Sequence, residues 1–230
     1  EIASCLVGSE MCIRDRYFFM PICDVENGLE LLREHCRETG DKLQFFGVGE
    51  EYVELFCKRL NAKNPVELEK WADYLYDARA LTELVGKKYN AKRNHINKFR
   101  KTYPQAEFKD FKKAYREKVL AFLEKYSKND LTASYFYDKN EVSLLVENWR
   151  DGEYPAGYME IDGEAVGFTV GDIVGDTLFV HVEKCLRDIS GVYEATTNAF
   201  LKRHVTDAVK FVNREEDMGI EGLRKSKMSY

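Results

Sequence analysis

The sequence predicts an α/β (α+β) fold of mixed, mostly antiparallel sheets flanked by helices. Three observations carry this. Strand-like and helix-like patterns alternate over residues 17–60. Three strand patterns joined by tight-turn signals follow one another over residues 156–184. A helical pattern and one more strand pattern then follow over residues 191–213.

The elements run in this order. Tyr17–Ile22 (YFFMPI) reads as a strand. Asp24 can cap a helix from Val25 to Glu38, which Gly40 ends. Lys42–Val48 is a second strand, and Gly49 opens a helix reaching Leu60. Trp71–Tyr76 alternates weakly as a strand, and a short helix over Ala78–Leu84 follows. Gly86–Tyr103 (GKKYNAKRNHINKFRKTY) reads as one helix with Tyr89, Ile96, Phe99 and Tyr103 on a common face, ended by Pro104. Glu107–Phe111 is a strand and Lys113–Tyr126 an amphipathic helix. Asn129–Tyr137 reads as a connector, which sets an expected division at 130/131.

Beyond it, Asp138–Trp149 is a helix and Ala156–Ile161 a strand. Asp162-Gly163 is a two-residue hairpin signal into Ala165–Ile173. Gly175-Asp176 turns the chain into Thr177–Lys184. Gly191–His204 is a helix, Ala208–Asn213 (AVKFVN) a strand and Ile220–Lys227 a short helix. A three-stranded meander followed by a helix and a strand is the layout of a GNAT-type acyltransferase half. In that layout the third strand and the following helix line the donor cleft.

Glu1–Arg16 (EIASCLVGSEMCIRDR) has no cationic start, long apolar run or small-residue cleavage site, so it is a poor signal peptide. Leu6–Arg16 resembles the translation of a transposon-type sequencing-library adapter, so residues 1–16 are expected to be non-native. The native start is then missing and the native chain longer; a native N-terminal strand is the other reading. Cys5 and Cys12 fall in this stretch. The remaining cysteines, Cys23, Cys36, Cys57 and Cys185, form no Cys-x-x-Cys pair and none stands near a His at zinc-ligand spacing. No metal site is expected, and the chain is expected to be cytosolic and reduced.

The 230 residues carry 35 Lys and Arg against 40 Asp and Glu, a net charge of −5. That balance gives no global pull toward nucleic acid or anionic membrane, so any such attraction must be local. No stretch approaches the roughly 20 apolar residues of a membrane span. With 14 Phe and 14 Tyr there is material for a substantial core.

Three groups of residues can carry chemistry. In the third meander strand, strict alternation would put Phe179, His181 and Glu183 on one face and Leu178, Val180, Val182 and Lys184 on the other. His181 and Glu183 could orient an amine and take its proton; a plain solvent-facing sheet surface is the alternative. Asn213, Arg214, Glu215, Glu216 and Asp217 stand just past the last strand, a common ligand position. Arg214 could bind a carboxylate or phosphate there, although acids preferring the start of the next helix would also explain the cluster. Last, Lys87, Lys88, Lys92, Arg93, His95, Lys98, Arg100 and Lys101 make the segment 87–101 densely cationic, with Asn94 and Asn97 beside the charge. It could hold tRNA backbone or a phospholipid headgroup, or be a solvated helix face. No phosphate-binding P-loop, His-Glu-x-x-His or Gly-x-Ser-x-Gly motif is present, and Gly47-Val48-Gly49 lacks the third glycine of a dinucleotide fingerprint. The stretch Cys185–Gly191 also lacks the glycine-rich loop that cradles coenzyme A pyrophosphate.

Three segments, Gly86–Pro104, Leu178–His204 and Val212–Tyr230, together resemble the phosphatidylglycerol lysyltransferase C-terminal domain family, in the form of its stand-alone bacterial members. The resemblance covers nearly all of residues 17–230. It implies tandem GNAT-like halves, a first incomplete half over 17–130 and a second over 131–230. It also implies transfer of an aminoacyl group from aminoacyl-tRNA to a lipid or other amine or hydroxyl acceptor, with no cofactor. On this reading Lys87, Lys88, Arg93, Asn94 and Asn97 form the basic motif. Glu183, Tyr193, Asn213, Arg214, Glu216 and Arg224 line the cleft of the second half, with Glu183 and His181 the expected catalytic pair. The lysyltransferases carry a multi-span membrane domain that this chain does not contain, and a closing strand is expected past Tyr230. A non-catalytic module binding tRNA or anionic lipid, and a small-metabolite acyltransferase with a divergent donor, are the alternatives.

Overall fold

The computed structural model describes residues 17–21, 24–61, 65–67, 69–128 and 133–230. Residues 1–16, Cys23 and the first part of the expected connector, 129–132, lie outside them. The chain divides into two compact units, Glu1–Glu67 and Leu68–Tyr230. The division expected at 130/131 therefore falls inside the second unit. The reason is strand pairing over long sequence distances: strands from before and after that point share one sheet.

In the first unit, β1 (Tyr17–Phe19) pairs in parallel with β2 (Gln44–Phe46). Between them runs α1 (Val25–Thr39), and α2 (Glu50–Leu60) follows. Asp24 caps α1 by accepting from the Asn27 backbone N–H at 3.0 Å, and Gly40 ends it in the left-handed region.

The second unit opens with a single 3-10 turn at Glu69–Trp71, and the expected strand shifts to β3 (Leu75–Asp77). Then come α3 (Ala78–Glu83), a 3-10 turn at Lys87–Tyr89, α4 (Asn90–Thr102), β4 (Glu107–Asp110), α5 (Arg116–Lys128) and α6 (Ala133–Glu147). The meander is β5 (Ala156–Ile161), β6 (Glu164–Val174) and β7 (Thr177–Cys185). It is followed by α7 (Val192–His204), β8 (Phe211–Asn213) and α8 (Glu221–Met228). The basic segment is thus a 3-10 turn and a helix rather than one helix, and the last strand is shorter than expected.

The sheet order is β3-β8-β7-β6-β5-β4, mixed because β8 runs parallel to β7 while the other pairs are antiparallel. Helices flank it on both faces. Val119, Phe122 and Leu123 of α5, Val146 of α6 and Trp149 just past it join Tyr158 and Phe168 of the sheet in the larger core. On the other face Phe200 and Leu201 of α7 join Leu178, Val180 and Val212.

Strict alternation fails in β7. Val170 of β6 pairs with Val182 and Gly171 with Val180, which leaves His181 as the extra residue of a β-bulge. Before the bulge Leu178 and Val180 face α7. After it Glu183 does so, as its hydrogen bond to Thr197 shows. Lys184 points the opposite way, its ammonium 5.4 Å from the ring of Tyr126 on α5. Phe179, His181 and Glu183 therefore do not share a face: Phe179 and His181 stack together, and Glu183 crosses to the α7 side. Gly171 stands opposite the bulge, where a Cβ would come within 2.3 Å of the Phe179 carbonyl oxygen.

Candidate functional site

The bulged strand outruns its neighbour. β8 pairs with β7 only as far as Phe179 opposite Asn213, while β7 continues to Cys185. The sheet splays open beyond that point, and Arg214, the first residue past β8, turns its side chain into the opening. Its Nη2 donates to Glu183 Oε1 at 3.2 Å and Oε2 at 3.0 Å. Thr197 Oγ1 on α7 donates to the same Glu183 Oε1 at 2.5 Å. Both charged side chains are nearly buried, 9% exposed for Arg214 and 12% for Glu183. The strand end and the corner after β8, far apart in sequence, thus meet as one ion pair.

The turn that carries Arg214 is fixed from several sides. Asn213 Nδ2 donates to Asp73 Oδ2 at 2.7 Å, and its Oδ1 accepts from the Glu215 backbone N–H at 2.7 Å. The nearly buried Lys227 ammonium of α8 donates to the carbonyl oxygens of Arg214, Glu215 and Glu216 at 2.5, 3.1 and 2.5 Å. Arg224 Nε and Tyr74 Oη each donate to fully buried Asp217 at 2.7 Å. Those two bonds hold the Asp217 carboxyl well below the usual range. Glu216 takes part through its backbone carbonyl.

A second ion pair, between α4 and α7, borders the first. Lys92 Nζ lies 3.6 Å from Glu194 Oε1, and His95 Nδ1 lies 2.9 Å from the same oxygen. The ring of Tyr230 links the two pairs, with Lys92 Nζ 3.9 Å and the Arg214 guanidinium carbon 4.9 Å from its centroid. Burial lowers the Lys92 ammonium, with Glu194 opposing, and raises the Tyr230 hydroxyl. Burial alone would lower Arg214 too, but Glu183, Tyr230 and Tyr76 turn the balance upward. Burial pushes Tyr76 up to about 12.

Among the expected site residues, Glu183, Asn213 and Arg214 come together here. His181 stands beside them on the other face, its Nδ1 2.6 Å from Glu215 Oε1. Tyr193 is half-buried, its hydroxyl raised by burial and by the neighbouring Tyr126. Arg224 is committed to Asp217. Arg93 is largely engaged in local structure. It donates to the carbonyls of Leu84 and Gly86 and to Asn90 Oδ1, closing the turn before α4. Lys87, Lys88, Asn94 and Asn97 are exposed.

Sequence reasoning missed Thr197, Glu194 and Tyr230, and counted Lys92 with the basic segment rather than with the cleft. For Lys92 a signal existed: it stands three residues after Tyr89 and four before Ile96, on the same buried stripe of α4. A charge on such a stripe needs a buried partner, and Glu194 supplies it.

The N-terminus of α7 is closely covered. A Cβ at Gly191 would come within 2.5 Å of the His95 carbonyl oxygen, so α4 packs directly on the start of α7. Among the described residues no group of three or more His, Cys, Asp or Glu side chains could hold a metal ion, and no helix is long and apolar enough to cross a membrane. A depression of about 280 Å³ on the first unit, lined by Arg33, Cys36, Arg37, Asp41, Leu43 and Leu60, has no buried ion pair among its lining residues.

Comparison with known proteins gives concordant results. The family model for the phosphatidylglycerol lysyltransferase C-terminal domain matches residues 10–230. A conserved protein of unknown function from Bacteroides thetaiotaomicron is 31% identical, with a TM-score of 0.80 over 90% of this chain and 71% of its own. L-PGS from Bacillus licheniformis, 12% identical, gives 0.61 over 88% of this chain and 68% of its own. A C-terminal domain assigned to a lysylphosphatidylglycerol synthetase of Agrobacterium fabrum, also 12% identical, gives 0.56 over 84% and 60%. These two distant likenesses establish a common fold. An uncharacterized protein of Mycoplasmoides gallisepticum is 27% identical over 232 residues, 95% of this chain and 72% of that protein.

Proposed function

The chain belongs to the phosphatidylglycerol lysyltransferase C-terminal family, and on that premise we propose that it transfers an acyl group within the opening between β7 and β8. The donor is aminoacyl-tRNA, and the acceptor is a hydroxyl or amine of a lipid or another molecule. No cofactor is required, and the reaction takes place in the cytoplasm. One observation carries this reading: the strand that outruns its partner delivers a buried, ion-paired carboxylate and guanidinium to the mouth of a splayed sheet. Such a place excludes water and fixes polar groups, both of which acyl transfer needs.

In the transfer, an acceptor oxygen or nitrogen bonds to the ester carbon, the carbonyl oxygen gains charge, and the acceptor loses a proton. Of the expected pair, Glu183 is taken up by Arg214 and Thr197, which leaves His181 for that proton. The covered start of α7 supports a donor other than coenzyme A, because a pyrophosphate would compete with α4 and with Glu194 for the same backbone N–H groups. Exposed Lys87, Lys88, Lys98, Arg100 and Lys101, with Asn94 and Asn97 between them, suit a phosphate backbone.

The test is incubation of the full chain with a set of charged tRNAs and an acceptor panel that includes vesicles containing phosphatidylglycerol. Acyl transfer whose rate falls in Glu183→Gln is the expected result. Salt-sensitive binding of tRNA or vesicles, weakened by neutralising Lys87 and Lys88 but accompanied by no transfer from any donor, would replace the enzyme reading with a binding module.

A further inference from the structure

The cleft contains a hydrogen-bond donor that nothing in the protein uses. Arg214 Nη1 is buried and has no hydrogen-bond partner, although Nη2 of the same guanidinium is held by both oxygens of Glu183. Thr169 Oγ1 is likewise buried without a partner, and Thr169 is paired directly across from Glu183 on β6. Buried donors and acceptors are nearly always satisfied, so two orphans beside one carboxylate mark a place for polar atoms that arrive from outside.

The charge balance says what kind of atom this is. Arg214 is neutralised by Glu183 and Lys92 by Glu194, while the Lys227 ammonium, held by three backbone carbonyls, faces the carboxylates of Glu216 and Glu215. A further full anion, such as a carboxylate or phosphate, would leave unpaired negative charge in a nearly buried site, which is costly. A neutral carbonyl oxygen carries no such penalty and gains its charge only as the reaction proceeds.

The geometry points to Arg214 Nη1 as the donor that holds the carbonyl oxygen of the transferred acyl group, with Glu183 as the positioning residue that aims the guanidinium. This rests on the transfer reading for its catalytic meaning but not for its binding test. In the reaction the acceptor's lone pair forms a bond to the acyl carbon, and the carbonyl π pair moves onto the oxygen held by Nη1–H. Collapse restores the carbonyl and breaks the ester C–O bond, and the departing ribose oxygen takes up the proton the acceptor released. Glu183, with one oxygen accepting from Thr197 and both from Arg214, is engaged as an anchor throughout. Tyr230 covers the guanidinium face, so the acyl group enters past its ring.

The experiment titrates the full chain by calorimetry with a panel of amino-acid amides, which are unreactive carbonyl probes, and with the matching free amino acids. The wild-type protein is expected to bind an amide more tightly than the corresponding carboxylate. Arg214→Lys, which keeps the charge but loses the second donor nitrogen of the fork, is expected to weaken the amide roughly 10- to 100-fold, the worth of one charge-assisted hydrogen bond. With a reactive donor the same variant raises KM as well as lowering kcat, because the contact is made in the ground state and strengthens as the oxygen gains charge. Glu183→Gln lowers kcat but keeps the wild-type pH profile. Should Arg214→Lys fail to fold, ¹⁵N-arginine-labelled wild-type protein provides the readout: binding of an amide must shift one guanidinium resonance.

The assignment is overturned if no amide binds, if Arg214→Lys binds it as the wild type does, or if free amino acids bind more tightly. Amide binding that depends on Arg214, without transfer from any charged tRNA, would end the transfer reading and leave the carbonyl site standing.

Discussion

Removing one member of the Glu183–Arg214 pair should cost far more than removing both. Glu183→Gln leaves a guanidinium in a nearly buried site with only a neutral amide for company. Stranding one charge of a buried pair costs about 3–5 kcal/mol. The remaining hydrogen bonds to Gln put this variant near the lower end, at about 3 kcal/mol. Arg214→Met strands the carboxylate, with Thr197 its one remaining partner across the cleft, and should cost a similar amount. The double variant Glu183→Leu/Arg214→Met strands nothing, and its loss should stay within about 1 kcal/mol. For a unit of this size each kcal/mol moves the melting temperature by about 2–4 °C, so each single variant melts about 6–12 °C below wild type. Both tryptophans, Trp71 and Trp149, lie in the second unit, so their fluorescence reports on it selectively. A double variant as unstable as the two singles summed would refute the reasoning, because the side chains would then act independently rather than as a buried pair.

Other outcomes follow from the same contacts. Gly191→Ala should lose roughly 2–3 kcal/mol, about 1 from a left-handed φ of 81° and the rest from a Cβ 2.5 Å from the His95 carbonyl oxygen. Gly163→Ala, whose Cβ would meet nothing at φ 85°, should lose only the first part; equal denaturant midpoints for the two variants would count against the α4–α7 contact. Lys227→Met should lose about 2–4 kcal/mol by leaving three carbonyls of the Arg214 turn without their donor, and should speed amide exchange at Arg214 N–H, which donates to Tyr74 O at 3.0 Å. Wild-type exchange there would reject that role. His181 is raised above its ordinary value chiefly by its hydrogen bond to Glu215, against burial and with help from Asp172. Its stabilisation is therefore complete below the unfolded value of about 6.5 and is lost as pH rises through the higher folded value. Because the pair is partly exposed, urea unfolding should find His181→Gln less stable than wild type by about 0.5 kcal/mol at pH 5.5, the gap closing by pH 9. A gap that widens with pH would contradict the sign.

Local patterns gave much of the fold. Asp24 and Gly40 bound α1 as their capping chemistry requires, and Asp162-Gly163 turns the β5–β6 hairpin, with both residues at positive φ. The meander and the following helix are where alternation and turn residues put them, whereas the last strand is shorter than its pattern and its parallel pairing is a finding of the structure. What local patterns could not give was the grouping of elements into units. Leu75 pairs with Asn213 and Glu107 with Glu160, so strands from before residue 130 belong to the sheet formed after it.

The site divides in the same way. The sequence by itself determined that Glu183 and Arg214 stand at a strand and just past a strand end, and that residues 87–101 are cationic. Only the tertiary structure decided which of these meet. A single unpaired residue, His181, reverses the side-chain alternation of β7 and sends Glu183 to the α7 face, because a strand's two-residue period is broken by any bulge. Arg93 turned out to close a turn, and Lys92, one residue earlier, reached the cleft, because a helix rotates about 100° per residue and only packing fixes which side is buried. Lys92, Glu183, Arg214 and Tyr230 become neighbours through chain closure across more than a hundred residues, information that no local spacing in the sequence carries.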